Sequence, residues 1–576
     1  MSGVYDTKIM VQKPVESNTE TDLNKAIEGI DLEGLEPNVR VLFRLLLNKI
    51  EELEKANKEL RVENQKLRDE NNRLKGEQGK PNIRPQTKAQ DISSEKERKI
   101  PILKEKRKSK AKNHKIKIDR TERCKVDKDK LPVDAIFKGY RSVIVQDIII
   151  QTDNIEFQKE IYYSPSLNKT FMGKVPKGYE GEFGPRVKAY ILSSYYESNM
   201  TESAIVNTLK THGIFISACT VSRILTENKE EYHQEKQEIV KEGLVAPLFK
   251  QMDDTGARVK GKNHFAHILC NGSFTAYFTR PHKDRLTLLE ILTCAPLTFK
   301  FNDVAYGLME KMQLRAKWID LLKENPVEES LNREDLDSFL ENLFPTHQKH
   351  TKNRKIIVEA SAIAAYRDLP HAISLLLTDN APQFHEITEF LALCWIHEGR
   401  HYKKLTPHFT LHKIYVEAFL KKFWEYYRDL FEYKKHPTRR KAKRLSKKFD
   451  VLFSEKTGYD ELDKRIELTK SRKDSLLLVL HYPELPLHNN ASELGARGQA
   501  RKRDISLHTM SQKGTEAKDT FMTITETAKK HGVNIYHYLY DRITQKYEMP
   551  SLANLVKRSF ESVGFQTHFP SLEKAA

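Results

Sequence analysis

The sequence predicts a multidomain α/β protein with an N-terminal parallel coiled coil, a small β-rich module, a helix-turn-helix, and an α/β core interrupted by a helical insertion. Three observations carry that reading. Leucines recur every seven residues from Leu46 to Leu74, an apolar run ends on an aspartate in 373–384 (ISLLLTDNAPQF), and Asn271-Gly272 joins two apolar, β-prone stretches. With 576 residues, 39% of them hydrophobic, the chain is long enough for several domains with real cores.

The formal net charge of +18 points to a polyanionic partner, double-stranded DNA first, because Lys and Arg that neutralise phosphates release condensed counterions. No apolar run reaches the roughly 18 residues of a membrane-spanning helix, and the N-terminus lacks a signal-peptide pattern. The five cysteines are scattered with no CxxC pair, so neither a disulfide framework nor a zinc site is predicted. A reducing, cytoplasmic setting follows.

Residues 1–36 are polar and aperiodic, the composition of a disordered N-terminus. Over 37–76 the pattern becomes a leucine zipper. Leu46, Leu53, Leu60, Leu67 and Leu74 occupy position d, and Ile50, Asn57, Asn64 and Asn71 occupy position a, so these nine residues form the predicted dimerisation seam. Asn at a favours in-register parallel pairing, and Lys49 with Glu54, Glu63 with Arg68 and Glu70 with Lys75 match in sign from g to the following e. The competing reading is a single amphipathic helix packed on its own domain, which usually shows a wider apolar stripe.

A basic linker follows over 77–130, a solvated tether that can touch phosphates without sequence preference. Residues 131–183 hold β-branched and aromatic clusters separated by Gly and Asp-Asn turn signals, which predicts a small antiparallel module. Over 184–245 the sequence turns helical. A short amphipathic segment at 201–211, Gly213 for a tight turn, and Ser217 capping a second helix with Thr220 and Arg223 make a helix-turn-helix whose second helix enters a major groove.

The core is predicted over 246–404 and 483–530, with the helical insertion at 405–482 and a C-terminal helical tail at 531–576. Its first strand carries Asp253 and Asp254, followed by Gly256 in a turn; two more strands meet at Asn271-Gly272, and helices precede the buried strand that delivers Asp379. That order is the order of a ribonuclease H-like catalytic core, by fold-level analogy. Inside the insertion, an aromatic helix at 415–433 reads as core, and the basic run at 436–448 can follow a DNA backbone.

The stretch 486–504 (PLHNNASELGARGQARKRD) supplies the third acidic residue. Asn490 can cap a helix on which Glu493, Arg497 and Arg501 share one face. Asp253, Asp379 and Glu493 are thus the candidate catalytic and metal-binding carboxylates, and Thr220, Arg223, Arg497 and Arg501 the candidate DNA contacts. Three hard carboxylates suit Mg²⁺ or Mn²⁺. Two such ions about 4 Å apart would activate a water or a 3′-hydroxyl and stabilise the leaving oxygen at phosphorus.

The motifs MDDTGARV, LLLTDNAPQF, CWIHEGRHYKKL and HNNASELGARGQARKR, in that order, resemble the DDE transposases of insertion sequence sixty-six. The family's Asp-Glu-Thr motif corresponds to Asp253-Asp254-Thr255. Its second aspartate, which precedes a Cys-Trp-x-His-x-x-Arg motif, corresponds to Asp379 with Cys394, Trp395, His397 and Arg400. Its glutamate after paired asparagines corresponds to Asn489, Asn490 and Glu493, with Arg497, Arg501 and Lys502 downstream, so the resemblance adds Lys502 to the candidate DNA contacts. Asp254 departs from the customary Glu and stays an alternative ligand to Asp253, and the family's cysteine-rich zinc module has no counterpart beside Cys124. His397 reads as structural.

The resemblance implies a homodimeric DNA transposase acting on transposon ends and target DNA by metal-dependent cleavage and strand transfer, with accessory proteins left open. Two other readings share its parts: a leucine-zipper and helix-turn-helix regulator with an inert core, and a metal-dependent nuclease without integration. The acidic trio separates the first from a transposase, and joining of a 3′-hydroxyl to target separates the second.

Overall fold

The computed structural model describes residues 34–74, 116–132, 134–246, 249–346 and 350–561. Most of the expected disordered N-terminus, the linker over 75–115 and the end of the tail lie outside the described residues. Helix α1 (Pro37–Leu74) runs 38 residues without an internal Gly or Pro, and Pro37 stands at its first position, where a missing N–H costs nothing.

Its first half is docked on the body of the protein. Leu47 and Glu51 are buried, Asn48 donates to the Gly458 carbonyl at 3.0 Å, and Glu51 accepts from His412 Nδ1 at 2.8 Å and from the His408 amide. These contacts use heptad positions e, f and b. The a/d seam lies elsewhere on the helix, with Leu46, Leu53, Leu60, Leu67 and Leu74 all more than half exposed.

The expected β-rich module reduces to one hairpin, β1 (Ile161–Ser164) with β2 (Lys169–Met172). Residues 135–160 form no strand, and Ile148 and Ile149 remain 81% and 85% exposed. Strand propensity records fit to a pleated surface that neighbours must supply, and no second layer among the described residues supplies it here.

Helices α2 (Pro185–Tyr196), α3 (Glu202–Thr211), α4 (Ala218–Thr226) and α5 (Glu230–Val245) follow. Thr201 caps α3 through the Ala204 amide at 3.1 Å, Gly213 turns the chain at φ +78°, and Ser217 caps α4 through the Thr220 amide at 3.1 Å. Val221 and Leu225 bury one face of α4, which leaves Arg223 exposed on the other.

The central sheet has the order β5-β4-β3-β6-β7. Strands β3 (Lys250–Val259), β4 (Lys262–Cys270) and β5 (Thr275–Arg280) are antiparallel, whereas β6 (Leu375–Thr378) and β7 (Phe390–Leu393) join parallel to β3. Gly256 is not in a turn: it pairs with Phe265 inside β3. The turn falls at Lys260-Gly261, both at positive φ (50° and 74°), the requirement of a two-residue hairpin that the Asp-Thr-Gly cluster only imitates.

Helices α6 (Arg285–Thr293), α7 (Asp303–Lys311), α8 (Ala316–Glu324), α9 (Arg333–Leu343) and α10 (Thr351–Arg367) lie between β5 and β6, and α10 is buried along most of its length. After β7 come α11 (Trp395–Lys403), α12 (Thr410–Lys435), α13 (Arg439–Leu452) and α14 (Asp460–Lys470), which build a second core around Trp395, Phe423, Tyr426 and Phe449. The aromatic stripe of α12 is therefore spent on packing. Helices α15 (Asn490–Ser506) and α16 (Gln512–Lys530) return to the sheet, where Asp519 accepts from the Thr279 hydroxyl at 2.8 Å. Helices α17 (Ile535–Ile543) and α18 (Leu552–Glu561) complete the described chain. Among the described residues no helix is long and apolar enough to cross a membrane.

Candidate active site

Strand register sets Asp253 beside Asp379. Gln251 pairs with Leu377 in the parallel ladder, so two steps on Asp253 lies level with Asp379; Thr378 pairs with Leu393, so one step on Asp379 lies level with Cys394. Asp253, within β3, thus lies in one row with Asp379 and Cys394, which stand just past the carboxyl ends of β6 and β7, where open α/β sheets present their ligand sites. The chain leaves β6 through Asn380 at φ +74°, a conformation Asn tolerates, and Asp379 accepts from the Ala381 amide at 3.1 Å.

Glu493 arrives from the first turn of α15. The expected cap, Asn490, is one residue late: Asn489 holds the cap position, and its fully buried side chain makes no cap bond. Asn489 Nδ2 donates instead to the Met252 carbonyl at 2.8 Å, and its amide donates to Cys394 Sγ at 3.3 Å. A single asparagine therefore ties the start of the glutamate helix to the residue before Asp253 and to the end of β7.

Asp253 is half-buried, and its carboxyl is pushed up to about 7, first by burial and then by Asp379, with smaller contributions from Asp254 and Glu493; the Asp254 amide, donating at 2.8 Å, opposes the rise. Asp254 is engaged elsewhere, accepting from Gln383 Nε2 at 2.7 Å and standing 3.6 Å from Lys283 Nζ. Strand alternation sends the two neighbours apart, so the structure favours Asp253 over Asp254 as the inward carboxylate. Mutual repulsion among oxygen donors is what a hard divalent cation relieves, and the residues present fit Mg²⁺ or Mn²⁺ in that respect.

Glu493 is buried beside two arginines and a histidine. Arg400 Nη1 lies 3.4 Å and His397 Nδ1 3.7 Å from its Oε1, and Arg497 Nη2 lies 4.0 Å from its Oε2. Arg400 Nη1 also lies 3.2 Å from His397 Nε2. The Cys394 thiol is pushed up to about 11 by burial, against the amides of Asn489, His397 and Ile396 that point at its sulfur. Sequence reasoning reads His397 as structural and leaves Cys394 and Arg400 without a role; their i, i+3 and i+6 spacing at a helix start was the available signal.

Among the expected DNA contacts, Arg223, Arg497 and Arg501 are exposed and Thr220 is half-buried, accepting from Arg223 Nη2 at 3.2 Å. Lys502 departs from expectation. It is 2% exposed, donates to the Tyr195 carbonyl and stands 3.1 Å from the centre of the Tyr195 ring, so its ammonium is enclosed and is not presented to a phosphate. Burial lowers its pKa to about 7.

Two comparisons with known proteins bear on this site. The family profile described as "Transposase IS66 family" matches residues 374–517, the span that holds Asp379, Cys394, His397, Arg400 and Glu493. The uncharacterized protein y4jO of Sinorhizobium fredii is 31% identical over 313 residues, which is 52% of this chain and 93% of that protein.

Proposed function

The chain belongs to the IS66 family of transposases, and on that premise we propose that it binds the ends of its element and carries out metal-dependent DNA cleavage and strand transfer. The observation that supports the reading is the register of β3 with β6, which sets Asp253 level with Asp379, together with the charge coupling of Asp253 to Asp379 and, more weakly, to Glu493. The strand order, three antiparallel then two parallel, supports a ribonuclease H-like core.

In this proposal Asp253, Asp379 and Glu493 hold two Mg²⁺ or Mn²⁺ ions. Bound there, the ions supply Lewis-acid activation of a water or 3′-hydroxyl and stabilise charge on the leaving oxygen. Asn489 keeps the glutamate helix against β3, and Arg497 and Arg501 contact phosphates beside the reacting strand. Helices α3 and α4 form a helix-turn-helix that places Thr220 and Arg223 in a major groove. The exposed Arg439, Arg440, Lys443, Arg444 and Lys447 of α13, opposite buried Leu445 and Phe449, follow the DNA backbone. The exposed a/d seam of α1 pairs with a second copy, so that one dimer bridges two ends.

The test separates binding from chemistry. Asp379→Ala is expected to retain end-DNA retardation in a gel while losing Mg²⁺- or Mn²⁺-dependent strand transfer; transfer at the wild-type rate would overturn the assignment.

A further inference from the structure

The same glutamate belongs to a second donor set of different chemistry. One ligand atom each from Cys394, His397 and Glu493 lies within 4.8 Å of the others, and among the described residues this is the only such trio of His, Cys, Asp or Glu. Cys394 is the N-cap of α11 and His397 sits one turn on, so sulfur and imidazole project from one helix start, while Glu493 faces them from the start of α15. The cysteine sulfur is met by the Asn489 amide at 3.3 Å and by amides of the α11 N-terminus, donors that remain directed at the sulfur when it binds a cation. Arg400 sits at the Nε2 side of His397, with Nδ1 on the Glu493 side.

Donor chemistry then decides between ions. Mg²⁺ and Mn²⁺ prefer all-oxygen shells and take thiolate and imidazole poorly, whereas Zn²⁺ accepts sulfur, nitrogen and carboxylate oxygen together and leaves its fourth tetrahedral position to water. We propose that Cys394, His397 and Glu493 form a zinc-selective site, and that its occupation withdraws Glu493 from Asp253 and Asp379, giving a zinc-held off state of the active centre. The withdrawal rests on the role given to Glu493 under Proposed function; the site itself does not. On binding, the Cys394 thiol proton passes to solvent and no atom changes oxidation state. Thiolate and carboxylate together balance the ion's charge, and Arg400 and Arg497 are released from the glutamate.

The test uses the full chain with Co²⁺ as the spectroscopic stand-in for Zn²⁺. A thiolate-to-cobalt charge-transfer band is expected in the near ultraviolet, bleached by Zn²⁺, absent in Cys394→Ser, weakened in His397→Ala and retained in Asp253→Ala. No band, or one that survives Cys394→Ser through the exposed Cys124, Cys219 or Cys294, overturns the site. In the second arm, Zn²⁺ added to Mg²⁺-supported strand transfer is expected to abolish joined product in the wild type and to leave whatever product Cys394→Ser makes unchanged. Equal inhibition of both proteins, or of neither, overturns the off state. A cobalt band with the expected variant pattern but no strand transfer under any condition would uphold the site and count against the transposase chemistry instead.

Discussion

Asn489 stands where three motifs touch, and its removal is a test of the site's scaffold. Asn489→Ala deletes the bond to the Met252 carbonyl and leaves that buried acceptor unpaired, so a stability loss of about 1–3 kcal/mol is expected by chemical denaturation. A larger effect on the strand-transfer rate than on DNA affinity is expected with it; equal losses in both would point to a general folding defect.

Lys502 gives a prediction of opposite sign. Its folded pKa of about 7 lies below the ordinary 10.5, so between those values the unfolded chain binds more protons and stability rises with pH; below about 7 the full cost of the buried charge remains. Lys502→Met removes that cost, and thermal unfolding at neutral pH is expected to shift upward or stay level, with the rise between pH 7 and 10 flattened and end-DNA affinity unchanged. A loss of DNA affinity in a fully folded Lys502→Met would restore the phosphate-contact role that the structure removes.

At the scale of elements, the docking of α1 turns on Glu51. Burial raises its carboxyl, but the His412 side chain and the His408 amide together outweigh that and hold it below the ordinary 4.5. The contribution is therefore complete above about 4.5 and is lost as pH falls through the lowered folded value. Hydrogen exchange over 40–55 is expected to accelerate at acid pH before the sheet opens, and Glu51→Ala should produce the same local exposure at neutral pH. Unchanged exchange in that variant would mean that apolar contacts at Leu47 suffice.

What the sequence discloses about these elements follows from how local each signal is. The run at 375–378 is legible because a strand buried on both faces must be continuously apolar, and the Asn271-Gly272 link because tight turns restrict residue choice. The Lys260-Gly261 turn hides behind a stronger-looking Asp-Thr-Gly cluster, and the clusters over 135–160 carry strand chemistry without partners. At the site, motif order singles out three carboxylates as candidates, but the approach of Cys394 and His397 to Glu493 is set by the fold of the whole insertion between them. Burial of Lys502 beneath Tyr195 is equally non-local.

On the scale of the whole molecule, α1 presents two faces. Positions e, f and b anchor it to the insertion through Leu47, Asn48 and Glu51, while the leucine seam stays open for a partner helix. Pairing along that seam would fix two catalytic cores relative to each other through the rigid docked half, the geometry needed to hold two DNA ends at once. Leu60→Lys combined with Leu67→Lys is expected to halve the mass seen in sedimentation equilibrium and to leave the core's unfolding transition in place; an unchanged mass would move the dimer contact elsewhere.

Strand transfer itself tests the central claim most directly. Labelled element-end DNA is incubated with supercoiled target and Mg²⁺ or Mn²⁺, and the wild-type chain is compared with Glu493→Gln. The account predicts joined product that depends on the metal and vanishes in the variant while end binding persists. End binding by both proteins without cleavage or joining by either, on the correct end sequence, would contradict it and leave a DNA-binding protein with an inert core.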